Sequence, residues 1–168
     1  MLRKICIFVV ALLCFSMSSH SVVLNHVVVF GDSLSDTGNL YTYTHHTTPS
    51  SPTYHQGRFS NGPIWIDAFM DGYAADHVLN YAFGGAGVLT EIWNLGVFTL
   101  HQEVDTYLLT HSDIADESSL FFIWIGANNY LVRGEQPNAQ AIIDGILSNI
   151  ERLIQHGATN FVVINLPD

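Results

Sequence analysis

An α/β fold, with a parallel sheet covered by helices on both faces, is what this sequence predicts, and three observations carry it. Short apolar runs that stop abruptly at glycine or polar turns, Val27–Phe30 and Leu120–Ile125, read as buried strands. Such runs alternate with segments of helical apolar period, giving strand, helix, strand, helix, strand, helix, strand along the chain. The run Leu120–Ile125 has no polar interruption, which fits a central strand buried on both faces of a parallel sheet.

The N-terminus is set apart from that domain. Arg3 and Lys4 precede an eleven-residue apolar run, Ile5–Phe15, and Ser16–Ser21 supplies small residues with Ser19-His20-Ser21 as a small-x-small cleavage site. Residues 1–21 therefore read as a secretory signal peptide, too short for the ~20 apolar residues of a spanning helix, and 22–168 as one domain. Bulky Leu13 and Phe15 around Cys14 argue against lipid attachment there. Cys6 and Cys14 leave with the leader, so no disulfide, thiolate metal site or cysteine nucleophile is expected in the mature chain. Arg58, Arg133 and Arg152 then face fifteen acidic residues, which disfavours nucleic acid and anionic membrane surfaces as partners. The expected destination is secreted or periplasmic, without stable membrane insertion; the oligomeric state has no signal in the sequence.

Within the domain, Val27–Phe30 runs into Gly31 and then delivers Asp32, Ser33, Ser35 and Asp36 to the carboxyl edge of the sheet, where α/β folds place their ligands. Tyr41–Gly62 is rich in Thr, Ser, Pro, His and Gly and reads as a long loop. Its aromatics Tyr41, Tyr43, Tyr54 and Phe59 suit a substrate-side lip. Asn61 is the expected N-cap, with Pro63 in the first turn, of a helix to about Met70 that buries Ile64, Trp65, Ala68 and Phe69. A short strand over Asp76–Tyr81 leads into Gly84-Gly85-Ala86-Gly87, where glycines let a backbone approach a ligand. A helix follows over Leu100–Leu109 on Leu100, Val104, Tyr107 and Leu108. Leu120–Ile125 ends at Gly126-Ala127-Asn128-Asn129. Asn138 then caps a helix whose stripe is Ile142, Ile143, Ile146, Leu147, Ile150, Leu153 and Ile154, and which stops at Gly157 before a last strand, Asn160–Leu166.

Three strand ends therefore share one edge: Gly31-Asp32-Ser33, Gly84-Gly85-Ala86 and Gly126-Ala127-Asn128. Singly, a serine or asparagine there is an ordinary helix cap and paired glycines an ordinary turn. Together they hold what acyl transfer requires, a hydroxyl nucleophile with N–H donors aimed at the oxygen that becomes negative. Other chemistries lack their residues. There is no second Asp two positions after Asp32 for an aspartyl phosphatase, no G-x-G-x-x-G, and no glycine after Ser33 to make a G-x-S-x-G elbow. His45, His46 and His55 match no zinc spacing, and no cofactor is expected.

Gly31-Asp32-Ser33-Leu34-Ser35-Asp36-Thr37-Gly38-Asn39, Asn80-Tyr81-Ala82-Phe83-Gly84-Gly85-Ala86 and Gly126-Ala127-Asn128 resemble, in order and spacing, the first three sequence blocks of the GDSL (SGNH) esterase and lipase family. Gly57-Arg58-Phe59-Ser60-Asn61-Gly62 and Trp124–Asn128 look like its bacterial branch of secreted phospholipases, lysophospholipases, acyltransferases and haemolysins. The resemblance implies a three-layer, flavodoxin-like SGNH-hydrolase fold and a lipid ester as substrate. It implies Ser33 as nucleophile and oxyanion donor through its N–H, Gly85 as a second N–H donor, Asn128 as a side-chain donor, and Asp32 as a structural residue of the turn.

Two departures stand out. Asn129 replaces the aspartate usual after the block-three asparagine, a change expected to act on local hydrogen bonding. The family's base and its orienting acid lie in an Asp-x-x-His block, and none of the nine histidines has Asp three positions before it. His101, His111 and His156, on or beside the expected helices, read as solvated or capping residues. The chain accordingly looks like the family fold without its last strand and helix. Two alternatives stay open beside the esterase: an inactive remnant or lipid-binding module, and a carbohydrate O-acyl esterase. Trp93 reads as ordinary packing.

Overall fold

The computed structural model describes residues 24–72, 77–89, 98–131 and 138–166. The expected leader 1–21 with both cysteines, Trp93, Arg133 and the final Pro167 and Asp168 lie outside the described residues.

Strands β1 (Val27–Gly31), β2 (Val78–Asn80), β3 (Leu120–Trp124) and β4 (Asn160–Val163) form one sheet in the order β2-β1-β3-β4, with every neighbouring pair parallel. This is the flavodoxin-like strand order as far as its fourth strand. β1 is buried along its whole length, and its alternate side chains feed two different cores. Val28 and Phe30, with Phe121 and Ile123 of β3, face α3 (Leu100–Thr110) and α5 (Ala139–Gln155). Val27 and Val29, with Phe122, face α2 (Trp65–Gly72) through Ile66, Trp65 and Phe69. Helices thus cover both faces, the three-layer α/β/α architecture expected, with fewer strands than the five-stranded order. Each large apolar side chain fully buried here, such as Phe30 or Phe121, contributes about 1.5–3 kcal/mol of transfer free energy.

The local expectations held unevenly. α3 begins at Leu100 behind a Thr99–Gln102 capping box, and α5 begins at Ala139, with the Asn138 side chain accepting the Gln140 N–H. β3 is central, as its unbroken apolar run requires. The helix placed after Asn61, however, starts only at Trp65: Asp67 reaches back to accept the Ile64 N–H and, doubly, the Arg58 guanidinium at 2.8 and 2.6 Å. Trp65 and Phe69 pack on the core as expected, joined by buried Ile66, whereas Ala68 is exposed. Residues 39–43 form a short helix, α1, at the start of what read as loop, and residues 127–131 form another, α4.

α5 shows half of its apolar stripe to solvent. Ile142 and Leu153 are buried, whereas Ile143, Leu147 and Ile154 are about half exposed, and so is Val163 on β4. Between α5 and the outer side of β4 runs a groove of about 400 Å³ lined chiefly by Ile125, Ile143, Ile146, Leu147, Val163 and Ile164. No helix among the described residues is long and apolar enough to cross a membrane.

Candidate active site

The loop after β1 is a tight turn in which Ser35 N–H and Asp36 N–H both donate to the Asp32 carbonyl at 3.0 Å. Asp32 is buried, and its Oδ1 accepts the Leu34 N–H at 3.0 Å. It therefore ties the turn that carries Ser33. Burial pushes its carboxyl up to about 6, opposed by that backbone hydrogen bond. The two hydroxyls of the turn have separate fates. Ser35 is buried and accepts the Trp65 indole N–H at 3.2 Å. Ser33 is half-buried, and neither its hydroxyl nor its N–H is hydrogen-bonded among the described residues.

Asp36 is the hub that joins this loop to the glycine turn. Its Oδ1 accepts the N–H groups of Gly38 and Asn39 at 2.7 and 2.6 Å, and its Oδ2 those of Leu40 and Gly84 at 3.1 and 2.7 Å. Burial raises its pKa despite these four donors. Asn80 donates to Ser35 O and Thr37 Oγ1 at 2.7 and 3.0 Å, while Asn39 returns two bonds to the carbonyls of Asn80 and Ala82 at 3.0 and 2.8 Å. Phe83 N–H donates to Gly31 O at 2.9 Å. Gly84 has to be glycine, since a Cβ there would stand 2.3 Å from Phe59 Cε2. Phe59, expected at a substrate lip, is instead a packing residue against this turn.

Gly85 follows in the left-handed region at φ 83°, a conformation glycine adopts without strain. It is buried, and its N–H makes no hydrogen bond among the described residues. One neighbour, Gly84, is held through its N–H by Asp36; the other, Ala86, is held through its carbonyl by the Asn128 side-chain amide at 2.7 Å. Asn128 is buried at the start of α4 (Ala127–Leu131), and that bond uses one of the two N–H groups a primary amide possesses. Next to it, Asn129 Oδ1 accepts the Val88 N–H at 2.8 Å. A carboxylate would accept the same bond, so this contact is one that either residue can make.

Ser33, Gly85 and Asn128 are thus gathered at one sheet edge by a continuous set of hydrogen bonds. No histidine among the described residues joins them. His156 contacts Asp113 O, His111 stacks on Tyr107, and His101 accepts from Arg152, all away from Ser33. Nor do the described residues contain three or more His, Cys, Asp or Glu grouped to hold a metal. A cavity of about 430 Å³ opens on the Phe83 side, lined among others by Tyr43, Tyr81, Phe83 and Phe98. The sequence places Asp36 at this edge without a role; the group it does not point to is the buried Glu103, whose Oε2 accepts the Gly31 N–H at 2.9 Å. The signal for Glu103 was present, because it occupies the i+3 place in the stripe Leu100, Val104, Tyr107, Leu108.

The chain is 37% identical over 152 residues to the phosphatidylcholine-sterol acyltransferase of Aeromonas hydrophila, covering 86% of this chain and 45% of that protein. It is 31% identical to the secreted effector protein SseJ of Salmonella typhimurium and 31% identical to the thermolabile hemolysin of Vibrio parahaemolyticus, in each case over 86% of this chain. It spans 35% and 34% of those two proteins, and so less than half the length of each of the three relatives. Residues 27–168 match the profile of the GDSL-like lipase/acylhydrolase family, and with three strand ends carrying its blocks on one sheet edge, this chain belongs to that family.

Proposed function

We propose that this chain is the nucleophile-bearing portion of a secreted or periplasmic serine esterase acting on carboxylic esters of lipids, of the phospholipase A, lysophospholipase or acyltransferase type. The observation that carries the reading is the state of the donors: among the described residues neither the Ser33 N–H nor the buried Gly85 N–H has a hydrogen-bond partner. Unused backbone N–H groups beside a free hydroxyl suit an oxyanion of the tetrahedral intermediate. In this reading Ser33 Oγ attacks the ester carbonyl carbon and its proton passes to water. The carbon–oxygen bond to the alcohol breaks, the alcohol leaves with a proton, and the acyl group stays on Ser33. Water then hydrolyses that ester and releases the acid, or a second alcohol takes the acyl group. Asn128 contributes its remaining N–H to the same oxygen. The Aeromonas hydrophila relative is a phosphatidylcholine-sterol acyltransferase, which supports a lipid ester as substrate.

A second reading has its own observation. No base is hydrogen-bonded to Ser33 among the described residues, and a triad lacking a member retains only the residual catalysis of binding and the oxyanion hole. By itself the chain would then be a slow esterase or a lipid-binding module. Hydrolysis of p-nitrophenyl esters and of lysophospholipid by the chain, beside Ser33→Ala, separates the two. A measurable rate abolished by the substitution supports the esterase; equal, near-zero rates favour the binding module.

A further inference from the structure

Beneath the site lies a buried carboxyl that the proposed chemistry does not use. Glu103, on α3, is fully buried, and its Oε2 accepts the N–H of Gly31, two residues before Ser33. Its other oxygen, Oε1, is buried with no hydrogen-bond partner. The titratable groups facing it are both acids, Asp32 and Asp36 of the loop after β1, while the Phe83 turn brings only backbone N–H. The two arginines among the described residues are engaged elsewhere, Arg58 with Asp67 and Arg152 with Asp105. An ionised Glu103 would add a third buried negative charge, uncompensated and with one oxygen bare. A neutral acid avoids this, with the proton on Oε1 and Oε2 left to accept from Gly31.

We infer that Glu103 is a positioning residue of the ester-cleaving site, held as a neutral carboxylic acid, whose bond to Gly31 sets the end of β1 against the Phe83–Gly85 turn. The geometry makes the link short. Gly31 receives Glu103 on its N–H and gives its carbonyl to Phe83 N–H, so one residue connects α3, the Ser33 loop and the turn bearing Gly85. Burial drives the Glu103 pKa well above the ordinary glutamate value, the Gly31 hydrogen bond opposing it and the two aspartates adding to it. Raising the pH through that pKa strips the proton, forces charge into the junction and loosens Ser33 from Gly85. The role in positioning rests on the reading of Ser33 and Gly85 as reacting groups.

The test begins with the unaltered 168-residue chain. The Gly31 amide is followed by NMR as pH is raised from 4 to 10. The inference expects a transition well above the ordinary glutamate value of about 4.3 that is absent in Glu103→Gln, where the Asp32 titration remains; a Glu103-dependent shift centred near about 4.3 overturns it. Glu103→Gln keeps an acceptor for Gly31 and cannot ionise. Its melting temperature should match the unaltered chain within a few degrees at pH 5 and exceed it by on the order of 5 °C at pH 9. Glu103→Ala should melt lower at both. Parallel pH profiles for the unaltered chain and Glu103→Gln would refute the inference. Failure of the esterase reading shows separately, as equal hydrolysis by the unaltered chain and Ser33→Ala, and does not touch the Gly31 titration.

Discussion

The two ends of the sheet are built on different principles. On the β2–β1 side the junctions are polar and densely hydrogen-bonded. Asp36 takes four N–H groups, Asn80 and Asn39 exchange bonds across the strand ends, and Glu103 holds Gly31. On the β4–α5 side the surface is apolar and open, with Ile143, Leu147, Ile154 and Val163 about half exposed around a groove of about 400 Å³. Dispersion and burial tolerate small displacements, so an apolar face fixes few positions. Buried hydrogen bonds do not tolerate them, because each lost partner leaves an unsatisfied group. The residues proposed for the site lie where the network is, and that network is what would hold three residues far apart in sequence in fixed positions.

Substitutions can break that contrast in order of expected effect. Asp36→Ala orphans four backbone donors at once and should cost on the order of 4 kcal/mol, read as a collapse of the urea midpoint. The next effect needs no mutation. Asp32, with its carboxyl pushed up to about 6, and Asp36 and Glu103, raised by burial, all bind protons more tightly folded than unfolded. Their stabilisation is complete below the ordinary carboxyl range and fades as pH rises through their folded values. Asp67 works in the opposite sense, since its hydrogen bond with Arg58 lowers its pKa. Asp32 by itself should remove on the order of 3 kcal/mol between pH 4 and 8. Urea midpoints at pH 5, 7 and 8 should therefore fall.

Gly84→Ala is smaller, because a Cβ 2.3 Å from Phe59 Cε2 and 2.9 Å from Leu40 Cδ2 overpacks the turn by about 1–3 kcal/mol. Adding Phe59→Leu should recover part of that loss in the same melt. Least of all should be the effect of Leu147→Glu with Val163→Lys on the open side. Stability should move by less than about 0.5 kcal/mol for each, while concentration-dependent association, measured by light scattering, declines.

Much of this was legible beforehand, and the exceptions share a cause. Strands with unbroken apolar runs, such as Leu120–Trp124, and helices with a cap and a long stripe, such as Ala139–Gln155, carry their signal locally. The three blocks were equally plain. What the sequence hid depends on partners distant along the chain. The helix after Asn61 starts later than expected, at Trp65, because Asp67 holds both the Ile64 N–H and Arg58 ahead of it. Phe59 looked like a lip residue because Gly84, which it covers, lies twenty-five residues on. The outward half of the α5 stripe followed the expected period and found no cover among the described residues.

The central claim is that Ser33 forms an acyl-enzyme. Among the described residues no base is hydrogen-bonded to that serine, so once acylated by an activated ester Ser33 should deacylate slowly, and the adduct should build up and be visible directly. Incubation with a p-nitrophenyl ester followed by peptide mass spectrometry is predicted to find the acyl mass on the peptide containing Ser33, and to lose it in Ser33→Ala. No adduct at Ser33, or the same adduct in both proteins, would contradict the account.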